Sequence, residues 1–430
     1  MSKHHEKRGH HEDMEELEKS SGISRREMLK MSAAAGTGLA IGMSGMGALV
    51  SLTDVYDHSK AAGDHKVPAD IVPFYGRNQA GIATAQQQYI CFAAFDVTAS
   101  KRSDLKALLK TWTKYSADMT KGETVGEKHP NVYMPPDDTG EAFGLSPSNL
   151  TITFGFGPTL FKKDGVDRFG IAVKQPDELV PIPHMPRDEL QKEISGGDIC
   201  IQACSDDPIV AMHAVRNLMR VATGSVIMRY MQEGFLSSPN GETPRNLFGF
   251  KDGTANKDTQ AGVGLNKYVW ASDSGGPSWM KGGSYMAVRK IRMFTEVWDR
   301  TSLKEQEATF GREKKSGAPL GKAHEFDSIS LNKLPAHSHT RLAHSTGIKI
   351  LRRAYSYSSG LDPRTGYFDT GLFFISFQQS IKMQFIPMLK KLQQSDKLNE
   401  YTSHISSAVF ACPPGIKKGG YIGQQLFHSL

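Results

Sequence analysis

The sequence predicts an α+β fold made from one arrangement used twice, the split βαβ unit, with the two sheets packed as a barrel or sandwich around a pocket. Two observations carry that expectation. Hydrophobic stretches of period 2 and period 3.6 follow one another as strand–helix–strand–strand–helix–strand, and the order occurs twice in 430 residues. Between the two sets lies a stretch unlike either, Asn246-Leu-Phe-Gly-Phe-Lys-Asp-Gly-Thr254, rich in turn residues and carrying an acid before its second glycine.

In the first half the strand-like segments are 88–96, 149–155, 198–204 and 225–233. The helical ones are 103–119, with Leu105, Leu108, Leu109 and Trp112 on one side, and 207–222, with Val210, His213, Ala214, Leu218 and Val221 as its apolar stripe. Asp206 or Asp207 stands where an N-cap is expected. In the second half strands are expected over 283–293, 349–357, 371–377 and 404–412, and helices over 294–307 and 381–392. The two halves are taken as 80–235 and 245–430; what repeats is the order of elements, not the residues.

The 52 basic and 45 acidic residues give a net charge of +7 but are interleaved. With no arginine-rich arm and no basic run mixed with aromatics, nucleic acid is not an expected partner. The four cysteines are Cys91, Cys200, Cys204 and Cys412. Cys200 and Cys204 are four apart on an expected strand, roughly 13 Å, too far for a disulfide. They also lack the companions of a zinc site, so buried free thiols are expected.

Residues 1–55 read as an export segment and 56–79 as a linker. His4, His5, His10 and His11 lie upstream of Ser24-Arg25-Arg26-Glu27-Met28-Leu29-Lys30, which precedes a mildly apolar run rich in Ala, Gly and Met. A twin arginine before a weakly apolar run is the address of the twin-arginine route, which carries folded proteins. The expected destination is the periplasm, the cell envelope or the medium, with a cut somewhere between residues 48 and 65.

Three features carry the chemistry. In 246–254, Gly249 and Gly253 permit close approach of the backbone to a bulky group, and Asp252 would face that group. In Leu334-Pro-Ala-His-Ser-His-Thr-Arg-Leu-Ala-His344, three histidines fall close together, and neutral imidazole is a common metal donor. Zinc-type spacing is missing, whereas a single axial imidazole is what haem iron needs. Local pattern does not choose among His337, His339 and His344. Third, Arg352 and Arg353 are adjacent on an expected strand and would point to opposite faces, one into a pocket and one to solvent.

Taken together, these segments resemble the dye-decolourising (DyP-type) peroxidases. The resemblance rests on Gly249-Phe-Lys-Asp252-Gly253 followed by Thr254-Ala255-Asn256, on His339-Thr-Arg341-Leu-Ala343, and on Leu351-Arg-Arg-Ala-Tyr-Ser-Tyr357. Phe310-Gly-Arg-Glu-Lys-Lys-Ser-Gly-Ala-Pro-Leu-Gly321 and His324-Glu-Phe-Asp327 further resemble the twin-arginine-exported deferrochelatase/peroxidase subgroup. It implies two ferredoxin-like halves with a haem pocket mainly in the C-terminal half, and one haem b (iron protoporphyrin IX) per chain. By the same resemblance His339 is the iron ligand, Asp252 the distal acid and Arg352 the distal arginine, with Gly253, Thr254 and Ala255 lining the haem. His344, Ser345 and Thr346 are expected in the haem site too, but they stand where relatives often carry Asn-Pro-Arg. The propionate contact of that arginine would then fall to Lys349 or Arg341. Asp369 is the expected acid behind the iron-binding imidazole, and Tyr355 and Tyr357 are candidate electron relays.

The implied activity is a haem-dependent peroxidase that oxidises an organic donor with hydrogen peroxide and also releases iron from haem. A carboxylate beside a guanidinium favours its ionised form and can take up and hand back the proton that peroxide must move. The implied partners are hydrogen peroxide, a reducing donor, haem as substrate, a ferrous-iron permease system at the membrane, and a second copy in a homodimer. Two other readings are a haem-delivery protein without turnover and a haem-free binder of sugar or peptide. The first would not need a distal acid–arginine pair, and the second would show no haem absorbance.

Overall fold

The protein is described by a computed structural model covering residues 70–126, 131–238, 241–260, 262–272 and 276–427. The expected export segment, its histidines and most of the linker lie outside these residues. Among the described residues, no helix is long and apolar enough to cross a membrane.

The first half runs β1 (Tyr89–Val97), α1 (Arg102–Met119), β2 (Thr151–Phe156), β3 (Ile199–Ser205), α2 (Pro208–Val221) and β4 (Val226–Phe235). The second runs β5 (Ser284–Met293), α3 (Leu303–Phe310), α4 (His339–Ser345), β6 (Leu351–Arg352), β7 (Tyr355–Leu361), β8 (Phe368–Gln378), α5 (Ile386–Ser395) and β9 (Thr402–Cys412). The strands of the first half lie in the order β2-β3-β1-β4 and those of the second in the order β9-β5-β8-β7. These are the same permutation of the same antiparallel unit, the ferredoxin-like order. The two sheets meet at single-residue seams, Phe156 opposite Ala411 and Phe235 opposite Ser356, and thereby close into one eight-stranded barrel. The β2–β9 seam is close because Gly155 has no Cβ; one built there would stand 2.7 Å from that of Phe410.

Strand alternation sorts the two faces. On β1, Ile90, Phe92 and Ala94 point into the barrel, where Phe92 meets Phe373 at 5.1 Å between ring centroids. Cys91, Ala93, Phe95 and Val97 point outward to the helices, where Trp112 of α1 packs on Phe95 and Phe154. Asp207 caps α2, accepting from the backbone N–H of Ile209 and Val210 at 2.7 and 3.1 Å. All four cysteines are buried and free.

Three expected elements are divided. The helix expected over 294–307 is a turn at Thr295–Trp298 and then α3, whose fresh start is capped by Ser302. The strand expected over 349–357 is β6 and β7, both on the same edge of β8 and interrupted at Arg353 and Ala354. The helix expected over 381–392 opens as a wide π turn, Ile381–Phe385, before α5 begins with Pro387 in its first turn. Pro has no N–H to give a preceding turn, which is why it tolerates that position.

The barrel interior predicts one mechanical test. Phe92→Ala removes the ring at the centre of the interior contacts with Tyr230, Phe373 and Phe410. Its unfolding free energy in denaturant should fall by about 3–5 kcal/mol, and an unchanged midpoint would show that the barrel centre is not a packed core.

Candidate functional site

A cavity of about 410 Å³ lies in the second half between the outer face of the sheet and the helices α4 and α5. That volume is within the range of about 300–1,000 Å³ common to ligand sites. Ile291 of β5 and Phe374 of β8 line the sheet wall, while Met388, Leu389 and Leu392 of α5 line the helix wall. The walls are apolar and the polar groups are few, so each polar group can be traced to what holds it.

Asp252 reaches the cavity from a loop with an apolar keel. Phe248 stacks on Trp298 with centroids 4.4 Å apart, and Phe250 stacks on Phe310 at 4.0 Å. Between them Gly249 turns the chain at φ +83°, where an added Cβ would also stand 2.7 Å from Lys314. The Asn246 side-chain carbonyl accepts from the N–H of Phe248 at 3.1 Å and of Phe250 at 3.3 Å, closing the turn. Gly253, at φ +112°, then bends the backbone away into the 3₁₀ turn Thr254–Asp258. Gly253, Thr254 and Ala255 line the cavity with Asp252.

The same turn is fastened to β6. The Asn256 side-chain amide donates to the Arg352 carbonyl at 2.7 Å, and its oxygen accepts from the Arg352 N–H at 2.9 Å. That pair of bonds imitates a strand neighbour on the edge of β6. It sets the Arg352 guanidinium beside Asp252, with which it forms a direct ion pair, and over the Phe374 ring at 5.4 Å.

Glu325 grips the loop from the other side. It is buried, accepts from Lys251 Nζ at 2.8 Å and from the Thr254 hydroxyl at 2.8 Å, and so clamps the two residues that flank Asp252 and Gly253. Burial works against ionisation of this carboxyl, but bonds from Lys251, Thr243 and Thr254 outweigh it and bring its pKa below the usual value. The hydrogen bond to Glu325 raises the Lys251 pKa in turn, against the effect of burial. Arg312 donates to the carbonyls of Gly317 and Glu325 at 2.7 and 3.0 Å, fixing the segment that carries the clamp.

His339 opens α4 and enters the cavity from the helix wall. Its Nδ1 lies 2.6 Å from Asp396 Oδ2. An ionised carboxylate only accepts, so Nδ1 donates and Nε2 keeps its lone pair. The other oxygen of Asp396 accepts from the Leu398 N–H at 2.9 Å, which fixes the carboxylate. Among the described residues no group of three or more His, Cys, Asp or Glu is placed to hold a metal. A metal bound through His339 would be held by that single imidazole, as haem iron is, and the largely apolar space between sheet and helices suits a macrocycle.

The cavity thus brings together Asp252, Gly253, Thr254, Ala255, His339, His344 and Arg352. Other expected residues take different places. Ser345 and Thr346 do not line it; their hydroxyls return to the carbonyls of Leu342 and Ala343, both at 2.7 Å, and finish α4. Arg341 does not line it either, since its guanidinium donates to the Leu334 carbonyl at 2.8 Å, whereas Lys349 does. The acid behind His339 is Asp396, not Asp369, which lies by Lys290 and Tyr357 instead. Arg353 does not meet solvent but is buried against the first half, bonded to Thr84 and to Gln87 at 2.6 Å. Tyr355 and Tyr357 are fully buried, and burial pushes both phenols well above their usual pKa. His337 is exposed and away from the cavity.

Comparison with known proteins places this geometry in context. Residues 79–236 match the family described as Dyp-type peroxidase, N-terminal, and residues 243–417 the one described as Dyp-type peroxidase, C-terminal. The chain is 39% identical over 373 residues to a deferrochelatase of Escherichia coli, covering 82% of this chain and 86% of that protein. It is 40% identical over the same length, with the same coverage, to the deferrochelatase of Shigella sonnei. Among solved structures it is similar to DtpA from Streptomyces lividans in an oxyferrous/water mixed complex, with TM-score 0.76 and 34% identity, covering 83% of this chain and 98% of that one. A DyP-type peroxidase from Streptomyces coelicolor is similar too, with TM-score 0.77 and 33% identity over 86% of this chain and all of that one.

The clamp on Asp252 makes a pH-dependent prediction. The lowered carboxyl of Glu325 stabilises the fold above its usual value of 4.5, and that contribution is lost as pH falls through the folded value. The raised Lys251 contributes below 10.5 and is lost as pH rises through its folded value. Glu325→Gln should therefore be less stable than the native protein by a constant margin between those limits, with the margin narrowing on both sides. Thermal melts across pH would check this, and a margin that grows in acid would contradict it.

Proposed function

This chain belongs to the Dyp-type peroxidase family, and on that footing we propose that it is a haem-dependent peroxidase that uses hydrogen peroxide to oxidise an organic donor and also releases iron from haem. The observation that carries it is the ion pair of Asp252 and Arg352 in the same cavity as an imidazole whose Nδ1 is bonded to a buried acid.

The chemistry that bound haem supplies is cleavage of the peroxide O–O bond and storage of two oxidising equivalents, which a donor returns one electron at a time. The chain's own residues prepare that step. His339 would hold the metal through Nε2, because Asp396 accepts from Nδ1 and so favours the tautomer that leaves Nε2 its lone pair. Asp252 takes the proton from the inner oxygen of peroxide and delivers it to the outer oxygen, which departs as water. Arg352 stabilises negative charge on that outer oxygen while it leaves, a contribution of roughly several kcal/mol when the donor is fixed in advance. Asn256 and Glu325 hold both groups in place before peroxide arrives. The apolar residues of α5 and β8 keep bulk water from the reacting atoms.

Iron release is supported by the relatives named deferrochelatase. It requires two protons to replace the metal on the ring nitrogens while the macrocycle stays whole. Haem is then substrate as well as cofactor. The Ser24-Arg25-Arg26 segment supports export by the twin-arginine route to the periplasm, envelope or medium. Docking to a ferrous-iron permease system and a homodimeric state complete the proposal, both resting on the family resemblance. The paired acid and arginine favour this over a haem carrier, which has no use for them.

Two measurements test the proposal. Asp252→Asn should slow peroxide turnover by a hundredfold or so while retaining the Soret band, and His339→Ala should lose stably bound haem. Full turnover in the aspartate variant would remove Asp252 from the chemistry. For iron release, incubation with haem should yield free protoporphyrin and chelatable ferrous iron; recovery of intact haem alone would leave a peroxidase only.

A further inference from the structure

The sheet wall of the cavity carries a second guanidinium that the peroxide chemistry does not use. Arg289 stands on β5, on the face shared with Ile291 and Met293, and borders the cavity although it is 0% exposed to solvent. Two of its three nitrogens are committed. Nη2 is paired with the Asp188 carboxylate, and Nε donates to His404 Nδ1 at 2.9 Å. Nη1 is buried and has no hydrogen-bond partner.

Asp188 comes from the first half of the chain. Its segment runs beside β9, with Glu189 donating to the His404 carbonyl and Gln191 to the Ile405 carbonyl, both at 2.9 Å. The second oxygen of Asp188 is engaged as well, by the Met185 N–H at 3.0 Å. Burial, then the neighbouring Arg289, hold the His404 pKa well below its usual value, so this ring is neutral and accepts at Nδ1. The protein therefore satisfies the guanidinium on two sides and leaves the third nitrogen, buried at the cavity wall, without an acceptor. A buried donor without an acceptor is costly, and more so when it is charged. Three other cations around the cavity are engaged by the protein: Arg352 with Asp252, Lys251 with Glu325, Arg312 with two carbonyls.

What the cavity lacks is an acceptor at Arg289, and what a haem brings is two carboxylates. The segment 344–346 contributes no guanidinium, and its two hydroxyls are spent within α4. We propose that Arg289 Nη1 is an internal anchor for one propionate carboxylate of the bound tetrapyrrole, held in position by Asp188 and His404. This rests on the cavity being the haem site. Arg289 then bridges two carboxylates, one from the protein and one from the ligand. Its planar fork suits that arrangement as a lysine ammonium does not.

The test compares haem with haem dimethyl ester, whose propionates can no longer act as anions. Apoprotein is titrated with each, read by tryptophan fluorescence quenching and the Soret band. The wild type should bind haem about tenfold or more tightly than the ester. Arg289→Met alone would leave Asp188 buried and unpaired, so it is made together with Asp188→Asn, which keeps the cluster neutral. This double variant should bind haem about tenfold more weakly while its affinity for the ester stays the same. Arg289→Lys, which keeps a cation for Asp188 but has no Nη1, should lose the same preference while melting close to the wild type. Equal weakening toward both ligands, or an unchanged preference in either variant that still melts cooperatively, overturns the anchor. A wild type that binds neither ligand overturns the haem site itself, which is a separate failure.

Discussion

The site depends on one small contact, the pair of hydrogen bonds between the Asn256 side chain and the backbone of Arg352. β6 is two residues long and is paired with β8 on one side only. Its free edge would otherwise leave an N–H and a carbonyl without partners beside a largely apolar cavity. An asparagine amide offers one donor and one acceptor at the spacing of a peptide group, so it closes that edge as a strand would. Each bond is worth only about 1 kcal/mol net. Their effect is larger in position than in energy, because they join the loop that carries Asp252 to the strand that carries Arg352. Glu325 applies the same logic from outside, holding residues 251 and 254 while the residue between them that matters is left free.

The two halves use one fold for different ends. In the first, Leu109 and Trp112 of α1 and Leu218 of α2 fill the space against the sheet. In the second, the corresponding space between the sheet and α5 is the cavity. Fastening α5 and α4 at their ends keeps that space open: Asp396, where α5 stops, is bonded to His339, where α4 starts. The filled half still serves the open one. Thr84 and Gln87 hold Arg353, next to the arginine of the site, and Asp188 pairs with Arg289 on the cavity wall.

Much of this could be read from the chain. The order of elements follows from hydrophobic period, and the strands of the first half lie within a residue or two of their expected bounds. The loop 246–254 stood out because glycine, asparagine and aspartate are concentrated where neither period continues. The failures share one cause: a side chain's partner is set by the closed barrel, not by its neighbours in sequence. Asp369 and Asp396 are both acids near the start of a strand or turn, and only the docking of α4 on α5 chooses between them. The Arg353 expectation failed because alternation predicts opposite faces but not which face is covered, and here the face opposite the cavity, shared with Leu351 and Tyr355, meets the first half. The division of 294–307 was legible in hindsight, since Ser302 with Glu305 three residues on is the signature of a new helix start. Ser345 and Thr346 followed from the family pattern rather than from local chemistry, in which hydroxyls at the end of a helix turn back to its own carbonyls.

A cavity with apolar walls can hold cations only if each has a partner, because an unpaired buried ion is expensive. The partners around this cavity come from different places: Asp252 from the loop, Glu325 from the segment after α3, Asp188 from the other half of the chain. None is a near neighbour in sequence of the cation it serves, apart from the contacts that Lys251 makes within its own turn. The charges are therefore fixed by tertiary structure before any ligand enters, so little reorganisation is left for the moment of reaction. That is also why the cavity cannot be understood from the second half alone. A domain cut at the junction would keep His339, Asp252 and Arg352, yet it would lose Asp188, the carboxylate that pairs with Arg289, and the Thr84 and Gln87 contacts that hold Arg353.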